Sequence, residues 1–129
     1  MSFRPQAKEP VVVNGDMSGN ITSKVSIIPK LSMNTYSYSW SGSSPVGTVI
    51  VQLSNDYTVD AEGNAANAGT WNTVPFTNSS GATVTSFAVS GNTGTGFLEV
   101  TTGAYAIRTV YTAGSGTGTL QVVYNSKVT

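Results

Sequence analysis

The chain has no cysteine and no histidine, and only 9% of its 129 residues are charged. Each absence removes a class of chemistry. Without cysteine there is no disulfide and no thiolate metal site, and the redox compartment is left open. Without histidine the usual general base and the commonest metal ligand are gone, and so is any Ser-His-Asp triad. Six acids balance six bases. Lys24, Lys30, Arg108 and Lys127 are scattered, which is not the basic patch that nucleic acid requires. No apolar run approaches the ~18 residues of a membrane helix. The opening MSFRPQAKEP lacks the apolar stretch of a signal peptide, so Sec-dependent secretion is not expected.

What remains is a neutral, hydroxyl-rich chain. Hydrophobic residues make up 39%, enough for one domain with a real core. The surface must be solvated by Ser, Thr, Asn, Gln and backbone. With a formal net charge of zero, such a surface repels itself weakly and favours association.

The stretch Thr35-Tyr36-Ser37-Tyr38-Ser39-Trp40 alternates rings and hydroxyls. In a strand, Tyr36, Tyr38 and Trp40 share one face and Ser37, Ser39 and Ser41 the other. At least Tyr38 and Trp40 are expected to point inward, with their O–H and N–H groups finding backbone partners. An exposed sugar-stacking platform and a subunit interface are the alternatives. Val46 to Leu53 alternates again, with Val49, Val51 and Leu53 on one face. The short loop Ser41–Pro45 predicts that these two strands form an antiparallel hairpin. Pro29 and Pro75 mark edge strands. Residues 54–70 read as the longest loop, with room for one helical turn between Asp60 and Ala68. Gly91–Gly96 reads as a turn. Ala113–Gly116 is expected to close a last hairpin, with Thr117 to Lys127 as its return arm.

Turn signals every eight to twelve residues and the lack of a convincing helix predict an all-β fold. The expectation is an antiparallel β-sandwich of jelly-roll or Greek-key type with seven to nine short strands. Residues 1–14 are read as an extended N-terminal arm and 15–129 as the sandwich. Phe3, Arg4, Val11, Val12 and Val13 are the arm residues expected to contact a neighbour.

Chemistry is sparse. Gly114-Ser115-Gly116-Thr117-Gly118 lacks the Gly-Lys-Ser/Thr ending of a phosphate loop and reads as a turn. Glu62 and Glu99 are the only glutamates beyond the arm, and nothing joins them as a glycosidase pair. No catalytic residue, cofactor or metal is expected. Asp56, Asp60 and Glu62 share a loop with several asparagines, but the spacing does not match an EF-hand, and a solvated loop is the simpler reading. With Tyr57 and Trp71 they are the candidate contacts for a sugar or partner. The sequons at Asn20 and Asn78 are discounted without a signal peptide. Arg108, a lone charge in mid-strand, either pairs with an acid such as Asp56 or faces solvent or a neighbour.

Two segments, taken together, resemble a known pattern. One is Trp40-Ser41-Gly42, then Pro45-Val46-Gly47-Thr48 through Ser54-Asn55-Asp56, then Trp71-Asn72-Thr73-Val74. The other is Ile107-Arg108-Thr109-Val110-Tyr111-Thr112 with Gly114-Ser115-Gly116-Thr117-Gly118-Thr119-Leu120. With Gly15-Asp16-Met17-Ser18 before them and Lys127 after, they resemble small β-sandwich modules of tailed-phage structural proteins across about residues 15 to 127. The resemblance implies a non-enzymatic virion component: capsid-decorating, minor capsid or fibre-associated. It implies synthesis in the bacterial cytoplasm and partners that are other copies of the chain and neighbouring virion proteins, with no nucleic acid and no membrane. The segment from Tyr57 to Thr70 is longer than the pattern. The alternative is a carbohydrate-binding or host-adhesion module that takes a surface glycan.

Overall fold

The computed structural model describes residues 10–28 and 30–128. Phe3, Arg4 and Pro29 therefore lie outside the described residues. Twelve strands follow in order: β1 (Val11–Asp16), β2 (Ile21–Thr22), β3 (Ser26–Ile27), β4 (Ser32–Ser54), β5 (Thr58–Val59), β6 (Ala65–Asn67), β7 (Asn72–Val74), β8 (Phe76–Asn78), β9 (Thr83–Val84), β10 (Phe87–Val89), β11 (Thr93–Thr102) and β12 (Ala106–Val128).

Two of these dominate. β4 and β12 are each 23 residues long and pair antiparallel from Ser32↔Val128 to Ser54↔Ala106. The ladder is irregular only between Ala113 and Thr117. At that point the ribbon turns a corner, and its two halves enter two facing layers. In the first layer the order is β1, the second half of β12, the first half of β4, β11, β8 and β9. In the second, the first half of β12 carries β2 and β3 on one side. The second half of β4 lies on its other side and carries β7 and β10. The result is an antiparallel β-sandwich in which one pair of strands serves both layers.

The corner corrects two expectations. Tyr36–Trp40 and Val46–Leu53 do not pair with each other; they are halves of β4, each paired with β12. Likewise Ala113–Gly116 closes no hairpin, because β12 runs through it. The physical cause is a β-bulge, which bends and twists a strand without reversing it. The burial parity records the slip. β4 points Tyr36, Tyr38 and Trp40 inward before the corner and Val49 and Val51 after it; β12 switches from Ile107 and Tyr111 to Leu120 and Val122. Gly116 takes φ 78° there, and a Cβ on it would stand 2.0 Å from the Ser44 carbonyl oxygen. Ser44 itself has φ 52°, a strained value for a residue with a side chain. Asn92 holds it: Ser44 N donates to Asn92 Oδ1 at 2.9 Å, and Gly42 N donates to the Asn92 carbonyl at 2.8 Å.

The layers meet through the rings of the Thr35–Trp40 stretch. Tyr38 is buried, and its hydroxyl lies 2.6 Å from Thr109 Oγ1 in the opposite layer. Its ring meets Phe87 edge-on at 5.0 Å, and Phe87 meets Phe76 at 6.4 Å. Two glycines make room. A Cβ on Gly94 would sit 2.3 Å from the Trp40 ring, and one on Gly96 would sit 2.9 Å from Phe87. Thr93 through Gly96 pair with β4 as part of β11, which corrects the expected turn over Gly91–Gly96. The expected backbone partners are only partly present. Trp40 Nε1 donates to the Ser90 carbonyl at 3.4 Å. Tyr38 uses a side chain, and the Tyr36 hydroxyl is buried with no hydrogen-bond partner among the described residues.

Burial pushes the Tyr36 and Tyr38 phenols far above the usual tyrosine range. The unfolded chain ionises near pH ~10, so above that value it releases protons that the folded chain keeps. Stability contributed by these groups is complete below the unfolded pKa and falls as pH rises. Their tyrosinate absorbance at 295 nm is expected to appear only together with loss of the β circular-dichroism signal. Titration of all six tyrosines with the β signal intact would contradict this packing.

Val11, Val12 and Val13 are not arm residues. They begin β1, with Val12 and Val13 in the core. A bulge between Val11 and Val13 lets two successive valines turn inward, a departure from strict alternation that sequence periodicity cannot register. The loop after β4 holds the small β5–β6 hairpin in place of a helical turn.

Candidate functional site

The sandwich has a corner end and an open end. At the open end β4 leaves its layer at Ser54, and the chain returns as β7 at Asn72. The intervening loop carries all five candidate contact residues. Asp56 closes its base: Oδ1 accepts from Ser54 Oγ at 2.9 Å and from Thr70 N at 2.7 Å. These bonds, the Thr70 amide first, hold the Asp56 carboxyl below its ordinary pKa. Asp60 does similar work at the tip, where Oδ1 accepts from the amides of Glu62 at 3.0 Å and Asn64 at 2.9 Å. Glu62 is exposed. Among the described residues no three His, Cys, Asp or Glu side chains gather in a way that could hold a metal ion.

The loop folds Tyr57 against Trp71, with ring centroids 5.8 Å apart. Gly69 permits this, with φ 86° and only 3.1 Å between a would-be Cβ and the Tyr57 Cβ. Trp71 Nε1 donates to the Ala68 carbonyl at 2.8 Å. The Arg108 guanidinium lies 4.2 Å from the Trp71 ring centroid, and Arg108 Nε donates to Gln52 Oε1 at 2.8 Å. Of the expected arrangements Arg108 takes the outward one, in part: it lies half-buried on the face of β12 opposite the buried Ile107 and Thr109, and pairs with no acid among the described residues. Its neighbours are a ring and an amide across the β4–β12 ladder, and partial burial lowers its pKa. A cation over an indole is worth about 0.5–1 kcal/mol at an exposed position. It also covers one face of Trp71, which leaves that face closed to a sugar ring.

The structure therefore separates the predicted residues into three places. Tyr57 and Trp71 form one aromatic pair. Asp56 lines a shallow groove with Leu53, Asn55, Thr70, Asn72, Val74 and Ala104. Asp60 and Glu62 stand at the hairpin tip. The apolar floor of that groove, Leu53, Val74 and Ala104, escaped sequence reading because its three members come from three separate segments.

No known protein family matches the chain, and no curated protein matches it. Among solved structures it is similar to the crystal structure of SPBc2 prophage-derived protein YomS, at 13% identity and a TM-score of 0.52, covering 89% of each chain. The two share a fold. Coverage of 89% on both sides means that the likeness extends over nearly the whole sandwich in each chain. At this identity it concerns architecture alone.

Proposed function

We propose that the chain is a phage-encoded, non-enzymatic structural protein that works by assembly on the virion, as a capsid-decorating or minor capsid component. The observation that carries this reading is the shared fold with a prophage-derived protein over 89% of both chains. The resemblance of residues 15–127 to phage sandwich modules supports it. The sparsely charged surface and the exposed apolar side chains at one end supply the physical mechanism, contact with other copies and with neighbouring virion proteins. No part of the mechanism involves nucleic acid, membrane or cofactor. The test is to induce the phage or prophage that encodes the chain, band the particles on a density gradient and quantify the chain by mass spectrometry. The expected result is co-migration with the particles at a fixed copy number. Absence from banded particles, with the chain left in the cleared lysate, would overturn the proposal.

The pairing of Tyr57 with Trp71 favours a second reading, in which the same protein holds a surface glycan as an adhesin. Its mark would be glycan-array binding that Trp71→Ala abolishes.

A further inference from the structure

Among the described residues, eight large apolar side chains are exposed, and most of them gather at the open end. Leu31 is 56% exposed and Val128 63% at this end, with Tyr105 beside Ile28; Met33 and Ile27 stand at its rim, on the outer faces of the first and second layer. Strand register brings them together. Ser32, next to Leu31, pairs with Val128; Met33 pairs with Lys127; Ile27 pairs with Ala106. Leu31 reaches to Gly103, and the neighbouring Ala104 lines the groove beside Asp56. The patch and the groove are thus one continuous surface.

Charge divides this surface. Lys30 and Lys127 are exposed on the side of Leu31 and Val128, and Asp56, Asp60 and Glu62 are exposed on the loop across from it. An isologous contact brings residue i of one copy onto residue j of the other and j onto i. A two-fold axis that lies in the contact plane, across the direction from lysines to acids, lays the lysine side of each copy on the acidic loop of its partner. A two-fold axis along that direction would instead oppose lysine to lysine and acid to acid. The apolar residues between would leave water, as exposed patches of this kind do at interfaces.

We propose that the open end is a self-association face, on which two copies pack about a two-fold axis with Leu31 of each seated at the Asp56–Ala104 groove of the other. This rests on the assembly reading above and names the surface and the partner. The partner is a second copy because the two sides of the end are complementary to each other.

Sedimentation velocity of the full chain across a concentration series tests it. A monomer–dimer equilibrium is expected. Leu31→Asp is expected to weaken it at least ~10-fold, equivalent to ~1.4 kcal/mol, with the circular-dichroism spectrum and thermal midpoint unchanged. Two charge variants refine the test: Lys30→Glu with Lys127→Glu, and Asp60→Lys with Glu62→Lys. Each is expected to be monomeric alone, and an equimolar mixture is expected to dimerise. A monomeric full chain, or a dimer indifferent to Leu31→Asp, overturns the proposal. A chain that dimerises only after removal of residues 1–9 also overturns it, because the face would then belong to the chain's own N-terminal segment. A monomer in solution that still bands with particles sinks this inference and leaves the assembly reading standing. A dimer absent from particles does the opposite.

Discussion

Gly116→Val is expected to destabilise the protein by about 3 kcal/mol or more, enough to remove much of the ~5–15 kcal/mol that holds a domain of this size. Two costs add. A β-branched residue at φ 78° is strained, and its Cβ would stand 2.0 Å from the Ser44 carbonyl oxygen and 2.9 Å from Pro45 Cα. Those atoms are backbone, so no side chain can swing aside to relieve the contact. Gly63 provides the control. It has φ 89° with nothing within 4 Å of a would-be Cβ, so Gly63→Val carries the conformational strain without the clash. Urea denaturation of the two variants, compared with the parent, measures the difference. Equal losses would mean that the corner is not close-packed at Gly116.

Tyr38→Ala is expected to cost about 3–5 kcal/mol, the range for deleting a buried aromatic side chain. The ring touches Tyr36 and Phe87, and the hydroxyl reaches Thr109 across the layers. Phenylalanine substitutions separate ring from hydroxyl. Tyr38→Phe removes one buried hydrogen bond and is expected to cost about 1 kcal/mol. Thr109 Oγ1 still donates to the Ile50 carbonyl, which limits the loss. Tyr36→Phe removes a buried hydroxyl that has no hydrogen-bond partner among the described residues, so it is expected to be neutral or stabilising. Chemical denaturation of the three variants measures this order. A larger loss from Tyr36→Phe than from Tyr38→Phe would contradict the described hydrogen bonding.

Much of the fold is legible in the alternation of residues. Tyr36, Tyr38 and Trp40 declare their inward face, and Val49 and Val51 theirs. The corner is where alternation misleads. Ser41-Gly42-Ser43-Ser44-Pro45 has the composition of a reversing turn, yet the chain passes through it in one strand. Whether such a segment reverses or bends depends on what lies beside it, and here β12 supplies a matching bulge at Ala113–Thr117. That partner is some 70 residues away in the chain and leaves no local mark. Val11–Val13 lack the alternation that marks a strand for a related reason, since the bulge in β1 turns Val12 and Val13 inward in succession. At the open end, composition pointed to the loop of Asp56, Asp60 and Glu62. It could not show that Asp56 and Asp60 spend carboxylate oxygens on backbone amides. The Arg108–Trp71 contact was invisible for lack of any sequence relation between residues on different strands.

The central claim is that β4 and β12 run through both layers as one bent ribbon, and the cysteine-free chain allows a direct test. Ser39 faces Gln121 and Thr48 faces Thr112 in the ribbon. Directly opposed strand residues stand about 4.5–5.5 Å apart, within reach of a disulfide. The double variant Ser39→Cys, Gln121→Cys is expected to oxidise to an intramolecular disulfide with the fold intact, and so is Thr48→Cys, Thr112→Cys. A hairpin would instead oppose the two halves of β4 to each other. Ready oxidation of Ser39→Cys, Thr48→Cys, with the two ribbon pairs left reduced, would contradict the bent ribbon.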